Sequence, residues 1–486
     1  MAFLKRELHA SWIITWGFFG IIAGIGLSFV FYIGIIPIWI LVVLMISLTL
    51  VSFRQSKVWC VVPIILAGLI IGLMRGSFER IELNTYTNFI DREVTVVGQV
   101  FEDPSFGLAG DLQVKLVHVH IDETELPATI WASAISGPRE EVKRSDIISI
   151  HGKLKPGFAN FPTSMSFAKL THITRGDKED LARDLRDSFG EKLREVIKSP
   201  EADLGMGILA GQKRALPNLL SEAFVTAGLT HIIVASGYNL TILVRFARRL
   251  FTKVSRFAAV TGAIILILVF ASVTGFSPSM WRACLVTVLS LLCWYVGRKV
   301  HPVTLLFLIA GVTALINPYF VWGDAGWYMS FAAFAGVIIV SPLLQNYFWG
   351  NKKPGWLRQI FIDTACASLI TMPIIAFFIG NFAPFGLLAN LLVLPIVPFT
   401  MLLTFLAGIL AIIIPPPAAI ILVAPAEWLL GYIIKIADFV ASFPNASNQV
   451  EFPVWMLILS YSFLTLTIFY MWRKTRFNFR NDYLVK

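Results

Sequence analysis

The sequence predicts a polytopic α-helical membrane protein of about twelve spans, some broken or re-entrant, carrying an exterior five-stranded OB-like β-barrel. Three observations carry that class. Of the 486 residues 57% are hydrophobic and 14% charged, with a mean hydropathy of +0.74, whereas soluble domains carry about 25% charged residues. Uncharged apolar runs such as residues 12–33 recur, each long enough for a hydrocarbon core of ~30 Å. Against that background residues 84–175 change character and alternate with period two.

Taken in order, Lys5 and Arg6 hold the N-terminus inside, residues 12–33 lead out, 36–53 lead back to Arg54 and Lys57, and 58–74 lead out again. Residues 1–80 are thus a three-span block, and 84–175 fall outside. Five β-runs lie there, at 94–101, 112–121, 128–135, 147–154 and 167–174. Alternation is plain in Gln113-Val114-Lys115-Leu116-Val117-His118-Val119-His120. Turn signals such as Glu102-Asp103-Pro104 and Lys155-Pro156-Gly157 separate the runs. Five short strands suit an OB-type barrel; an SH3-like barrel fits the same count.

Residues 177–200 read as an amphipathic helix, with Leu181, Leu185, Phe189, Leu193 and Val196 on one stripe, lying on the outer membrane surface. The second membrane block spans 204–472. Its segment 205–220 holds Lys213, Arg214 and Pro217 and reads as re-entrant or interfacial. A span at 226–244 and eight more follow, leaving 473–486 as a cytoplasmic tail. One alternating topology puts Arg245 to Arg256, Arg298-Lys299, Lys352-Lys353-Arg358 and Arg473-Lys474-Arg476 inside, as the positive-inside rule asks. The formal net charge of +10 therefore reports membrane topology rather than nucleic-acid binding. The four cysteines all lie in apolar runs and offer no disulfide framework.

Four polar stretches interrupt the second block. Gly228-Leu229-Thr230-His231 runs on to Ser236-Gly237-Tyr238-Asn239. Polar groups at membrane depth are costly and face a cavity or another helix, and Ser236-Gly237 can break the helix. Thr274-Gly275-Phe276-Ser277-Pro278 opens a span just before Arg282, which can meet a carboxylate or phosphate or snorkel to the surface. Asp324-Ala325-Gly326 starts another span, where Asp324 can cap the helix. Asn381 to Gly386, followed by Asn390, Pro395 and Pro398, marks a discontinuous span. Small polar residues of this kind also serve plain helix–helix packing.

These stretches resemble the ComEC family of competence proteins, whose signatures read like Gly-Leu-Thr-His-x4-Ser-Gly, Ser-Pro-Ser-x2-Arg-Ala, Asp-x-Gly-x3-Ser-Phe and Ala-Asn-x4-Pro. They stand here at 228–237, 277–283, 324–331 and 389–395, in the family's order, and the resemblance runs from about Ala10 to Trp472. It implies a channel in the plasma membrane that takes up single-stranded DNA in natural transformation. His231, Ser236, Gly237, Asn239, Arg282, Asp324, Gly326, Asn390 and Pro395 would line or shape the path. The implied partners are single-stranded DNA, the lipid bilayer, a cytosolic DNA-translocating ATPase, an exterior DNA-receptor protein and further copies of the chain. The family commonly has Leu-His after Ser-Gly, where this chain has Tyr238-Asn239. Many relatives also carry a C-terminal metallo-β-lactamase-like domain, and no complete His-x-His-x-Asp-His run occurs here.

OB barrels bind single strands through a basic groove and aromatic platforms. Lys143, Arg144, Lys153 and Lys155 are the candidate contacts, from a basic cluster late in the barrel that also holds Arg139, Lys169 and Arg175, with Phe106 as a stacking ring. His118, His120 and Asp122 would share a strand face, but a solvated face accounts for them better than a metal. With no P-loop, no His-Glu-x2-His and no Gly-x-Ser-x-Gly, neither an enzyme nor a cofactor is expected, the lesser alternative being a metal-dependent nuclease in the barrel around His118, His120 and Asp122. The alternative function is an ion-coupled transporter of a small anionic solute using Glu427, Asp324 and Arg282. On the channel reading, charge reversal at Arg282 blocks uptake while membrane levels stay intact.

Overall fold

The computed structural model describes residues 9–31, 60–106, 111–121, 124–126, 129–136, 142–157, 161–175, 180–212, 216–233, 237–275, 277–298, 301–350 and 354–477. The expected span at 36–53, Lys213 and Arg214, Arg139, Lys299, Lys352 and Lys353, and most of the tail lie outside the described residues.

Helices α1 (Ala10–Ser28) and α2 (Val61–Thr87) pack through glycine. A Cβ on Gly20 or Gly24 would overlap the backbone of Ile65 or Leu69, and one on Gly68 or Gly72 the backbone of Gly17 or Ile21. The register rises together along both helices, so they run parallel, as two spans in the same direction should. Lipid tails are as apolar as leucine, so backbone contact across small residues, rather than hydrophobicity, holds such pairs. Arginines then close the helix ends. Arg75 donates to the carbonyls of Leu315 (2.9 Å) and Ile316 (3.2 Å), and Arg80 to those of Ser28 and Phe29, each at 3.0 Å. These are C-terminal carbonyls without helical partners, where a cation is favoured.

Residues 93–174 form a barrel of β1 (Glu93–Val100), β3 (Leu112–Ile121), β5 (Ile130–Ser136), β6 (Ile147–Pro156) and β7 (Thr163–Thr174). Two short strands, β2 (Ser105–Phe106) and β4 (Thr124–Leu126), pair with β3. β1 pairs with β3, β3 with β5, β5 with β7 in parallel, β7 with β6, and β6 with β1. The ring closes without a free edge, and its parallel β5–β7 pairing selects the OB-like barrel over the SH3-like one. The last strand starts at Thr163 rather than 167, because a bulge at Phe167 (φ 58°) breaks the alternation. Val96, Leu116, Ile130, Ile150, Leu154 and Met165 fill the core, and Tyr86 from the end of α2 joins them.

Helix α3 (Leu181–Val196) ties this barrel to the membrane block. Asp180 caps it by accepting from the Arg183 N–H at 3.0 Å. Arg144, buried in the barrel margin, donates Nε and Nη2 to Asp180 at 2.8 and 3.0 Å and Nη2 also to the Ser272 carbonyl at 3.1 Å. Arg186 pairs with Asp103 and Asp187, and Lys143 reaches Asp187 at 3.2 Å. On the other face Phe189 fills the space that a side chain at Gly408 would need. Of its apolar stripe, Leu193 and Val196 are buried in protein while Leu181 and Leu185 stay exposed.

The rest is helical. In order come α4 (Glu201–Ala210), α5 (Asn218–Thr226), α6 (Thr230–Ile233), α7 (Gly237–Phe251), α8 (Arg256–Thr274), α9 (Pro278–Tyr295), α10 (Pro302–Ile316), α11 (Tyr319–Gly323) and α12 (Ala325–Ala335). α12 passes through a π-turn (Gly336–Val340) into α13 (Ser341–Trp349). Then follow α14 (Trp356–Ile379), α15 (Gly386–Val393), α16 (Val397–Ile413), α17 (Pro416–Ala441) and α18 (Val454–Thr475). Among the described residues seven helices are long and apolar enough to cross a membrane, or eight if the bent pair α15–α16 is one span. That is fewer than the twelve expected. Residues 226–244 are divided between α5, α6 and α7, and α10 has only 15 residues.

Two outcomes follow from this packing. Gly24→Leu should destabilise the protein by about 1–3 kcal/mol through overpacking, whereas Gly17→Ala, whose Cβ would lie an ordinary 3.6 Å from Ile64, should be neutral; thermal unfolding in detergent decides. Burial alone would raise the Asp180 carboxyl, but hydrogen bonds from Arg144 and the Arg183 N–H, with the Arg144 charge, hold it at about 2. A lowered carboxylate stabilises fully above its ordinary value of 3.8 and loses that stabilisation as pH falls towards 2. Protease cleavage between barrel and α3 should therefore accelerate across that window, and Asp180→Asn should remove most of the dependence.

Candidate functional site

Pro278 sets the first turn of α9, and the Ser277 Oγ accepts from the Met280 N–H at 3.3 Å. One turn on, Arg282 is 2% exposed, which rules out snorkelling. Its Nη2 donates to the Gly326 carbonyl at 2.9 Å, while Nε and Nη1 are buried without an acceptor. The Phe320 ring lies 5.9 Å from the guanidinium. Asp324 is near enough for its charge to attract Arg282, and it caps α12 by accepting from the Trp327 N–H at 3.0 Å. A Cβ on Gly326 would stand 3.0 Å from Asp324 Oδ1 and 4.0 Å from Arg282 Nη2. Glycine is what lets these three groups converge.

The first and fourth stretches meet in the same way. Gly228 (φ 69°) ends α5, with the Leu229 N–H donating to the Phe224 carbonyl at 2.8 Å. A Cβ on Gly228 would lie 3.2 Å from Gly386 Cα, so two chain breaks touch almost backbone to backbone. Asn390 on α15 is buried with its Oδ1 unpartnered, and Pro395 stands in the break where α15 and α16 bend by 52°. Leu229, Ile232 and Ile233 are buried, yet Thr230 and His231 are exposed. The His231 ring hydrogen-bonds to the Gly228 backbone. Ser236 lies outside the described residues. Beyond it, the Cβ position of Gly237 comes within 3.1 Å of the Ala283 side chain. Asn239 is 2% exposed and donates to the Ile208 carbonyl at 3.0 Å. Asn239 thus holds α4 in place rather than facing an opening.

Three contacts therefore chain the four stretches together: Gly228 to Gly386, Gly237 to Ala283, and Arg282 to Gly326. Sequence reasoning found the motifs but not these contacts, which pair residues far apart in the chain. Of the guanidinium, the two amides and the imidazole in these stretches, Arg282, Asn239 and Asn390 are buried and His231 is exposed. An exposed imidazole is poorly suited to lipid and well suited to water or a polar solute.

The barrel candidates separate. Lys143 and Arg144 belong to the docking clamp with Asp187 and Asp180, so they are not free for a ligand. Lys153 is exposed and pairs with Asp91 at 3.0 Å, and Lys155 is exposed. Phe106 pairs with Leu112 through its backbone, and its side chain lies outside the described structure. His118 and His120 are exposed on β3, and Asp122 is outside the described residues.

A family model described as "Competence protein" matches residues 208–474, more than half of the chain. The chain belongs to this competence family. The matched region contains all four stretches, and the barrel and α1–α2 precede it. ComE operon protein 3 of Bacillus subtilis (strain 168) is 24% identical over 257 residues, covering 52% of this chain and 32% of that protein. An uncharacterized protein of Aquifex aeolicus (strain VF5) is 25% identical over 240 residues, covering 46% of this chain and 56% of that protein. The chain thus spans about a third to about half of the curated relatives it matches. No solved structure matches. Membership in the competence family gives the linked stretches a shared context that their geometry alone does not.

Arg282 is buried against a carbonyl rather than exposed to a path. Arg282→Glu should lower folded protein several-fold, since a buried carboxylate would face Asp324 and lose the Gly326 bond. Arg282→Lys should keep partial levels. Quantitative blotting of membrane fractions with detergent melting checks both.

Proposed function

We propose that this chain forms a transmembrane path through which single-stranded DNA enters the cell during natural transformation, and that it transports without catalysing a reaction of its own. Family membership and the name of the Bacillus relative support the competence context. The observation that carries the reading is the open side of Thr230 and His231 beside two broken helices that meet at Gly228 and Gly386. Broken helices persist at membrane depth only where protein or water satisfies the freed backbone. His231 and Thr230 would line the path. Arg282, Asp324, Gly326, Asn239 and Asn390 would hold the surrounding helix ends in register.

The basic helix ends supply an orientation. Arg248 stacks 4.2 Å over Trp294, Arg358 4.8 Å over Trp349, and Lys474 5.0 Å over Tyr347. The ends of α7, α9, α13 and α18 and the start of α14 carry these groups. By the positive-inside rule that end is cytoplasmic in the plasma membrane, and the barrel is exterior. A DNA-translocating ATPase would pull from the cytoplasmic end, and an exterior receptor would deliver the strand.

The test is uptake of labelled DNA by a strain lacking the gene and by strains carrying variants. Loss of cytosolic DNA with surface binding retained is expected on deletion. His231→Leu should cut uptake at least 10-fold at normal membrane levels, as blotting of membrane fractions would check. Unchanged uptake on deletion would overturn the proposal and turn attention to small anionic solutes.

A further inference from the structure

The late basic cluster of the barrel divides into two populations. Lys143, Arg144 and Arg175 are engaged in the docking clamp with Asp187, Asp180 and Asp146. Lys153, Lys155 and Lys169 instead stand exposed on β6 and β7, with His151 opposite Lys169 in register. Along β6 the positions 149, 151, 153 and 155 share one face, successive side chains lying roughly 7 Å apart.

Among these rows stands Phe167. It is 76% exposed, the largest exposure of any barrel hydrophobic described, and its φ of 58° is one that bulky side chains avoid. It occupies a bulge between the pairs Leu154–Met165 and His151–Lys169. Bulges re-aim side chains, and this one turns an aromatic ring out into solvent beside three lysines. Hydroxyls adjoin it: Thr171 donates to Ser149 Oγ at 3.1 Å, and Thr95 lies 3.0 Å from His151 Nδ1. The carboxylates on this face are Asp91, 3.0 Å from Lys153, and Glu93, 4.0 Å from His151. Both pairs are largely exposed, and such pairs exchange readily for another anion.

Resting on the DNA reading above, we propose that this β6–β7 face is the barrel's docking surface for single-stranded DNA. Phe167 stacks on an unpaired base, and Lys153, Lys155 and Lys169 hold the phosphates on either side. An exposed ring flanked by cations is what a single strand offers partners for, since its bases are free to stack and its backbone is anionic. A duplex hides its base faces, so the surface should prefer single strands.

Fluorescence anisotropy with labelled oligothymidylate and the full chain in lipid nanodiscs tests this. Phe167→Ala should weaken binding on the order of 10-fold, and Phe167→Trp should preserve it. Phe167→Gly removes the strained conformation, so it should weaken binding equally while the barrel melts no lower, which separates a lost platform from a lost fold. Replacing the three lysines with glutamine should flatten the salt dependence. Unchanged affinity in both Phe167→Ala and Phe167→Gly would overturn the proposal, as would a wild-type protein that ignores the oligonucleotide. If these variants bind normally while the deletion strain fails to take up DNA, the transport reading stands and only this face falls. If wild type does not bind and deletion leaves uptake intact, both fall.

Discussion

A guanidinium sealed inside a membrane bundle must be answered by protein, and the arrangement of the competence region turns on how Arg282 is answered. Its one hydrogen bond runs to the Gly326 carbonyl, at the start of the helix that Asp324 caps. That bond fixes α9 against α12. Because Ala283 follows Arg282 and packs on Gly237, it also fixes where the broken helix after His231 resumes. Buried charges left without full partners are costly, and what this one supplies in the fold is the geometry of that contact. The glycines serve the same end, since a side chain at Gly326 would crowd the site and one at Gly228 would press on Gly386.

The barrel is tied into this arrangement rather than tethered loosely. Arg144 bridges the Asp180 cap of α3 and the Ser272 carbonyl near the end of α8. One arginine thus joins the barrel, the connecting helix and the end of α8. Tyr86 makes a second join by carrying α2 into the barrel core. A strand bound on the β6–β7 face would thus rest on a platform fixed to the membrane helices at both sides.

Composition and period-two alternation made the fold class and the five main barrel strands legible, because burial imposes those patterns locally. At 226–244 apolar composition continues through helix breaks, since hydropathy registers burial and not helix continuity. Of the residues in the polar motifs, Arg282, Asp324 and Gly326 converge. What the motifs hid was role: Asn239 and Arg282 hold other elements, and Arg144 is a clamp. Those roles depend on partners such as Ile208, Gly326 and Asp180 that no local pattern reveals. Phe167 was invisible for another reason, since a bulge breaks the alternation from which facing is inferred.

The central claim is that the side of α6 bearing Thr230 and His231 faces an aqueous path. Single cysteines at 230, 231 and 232, in a background without the four native cysteines, can be probed in intact membranes with a charged, water-soluble maleimide. The account predicts that 230 and 231 react, that 232 does not, and that single-stranded DNA in transit protects the reactive pair. Reaction of 230 and 231 only with a lipid-soluble reagent would place them against the bilayer and contradict the account.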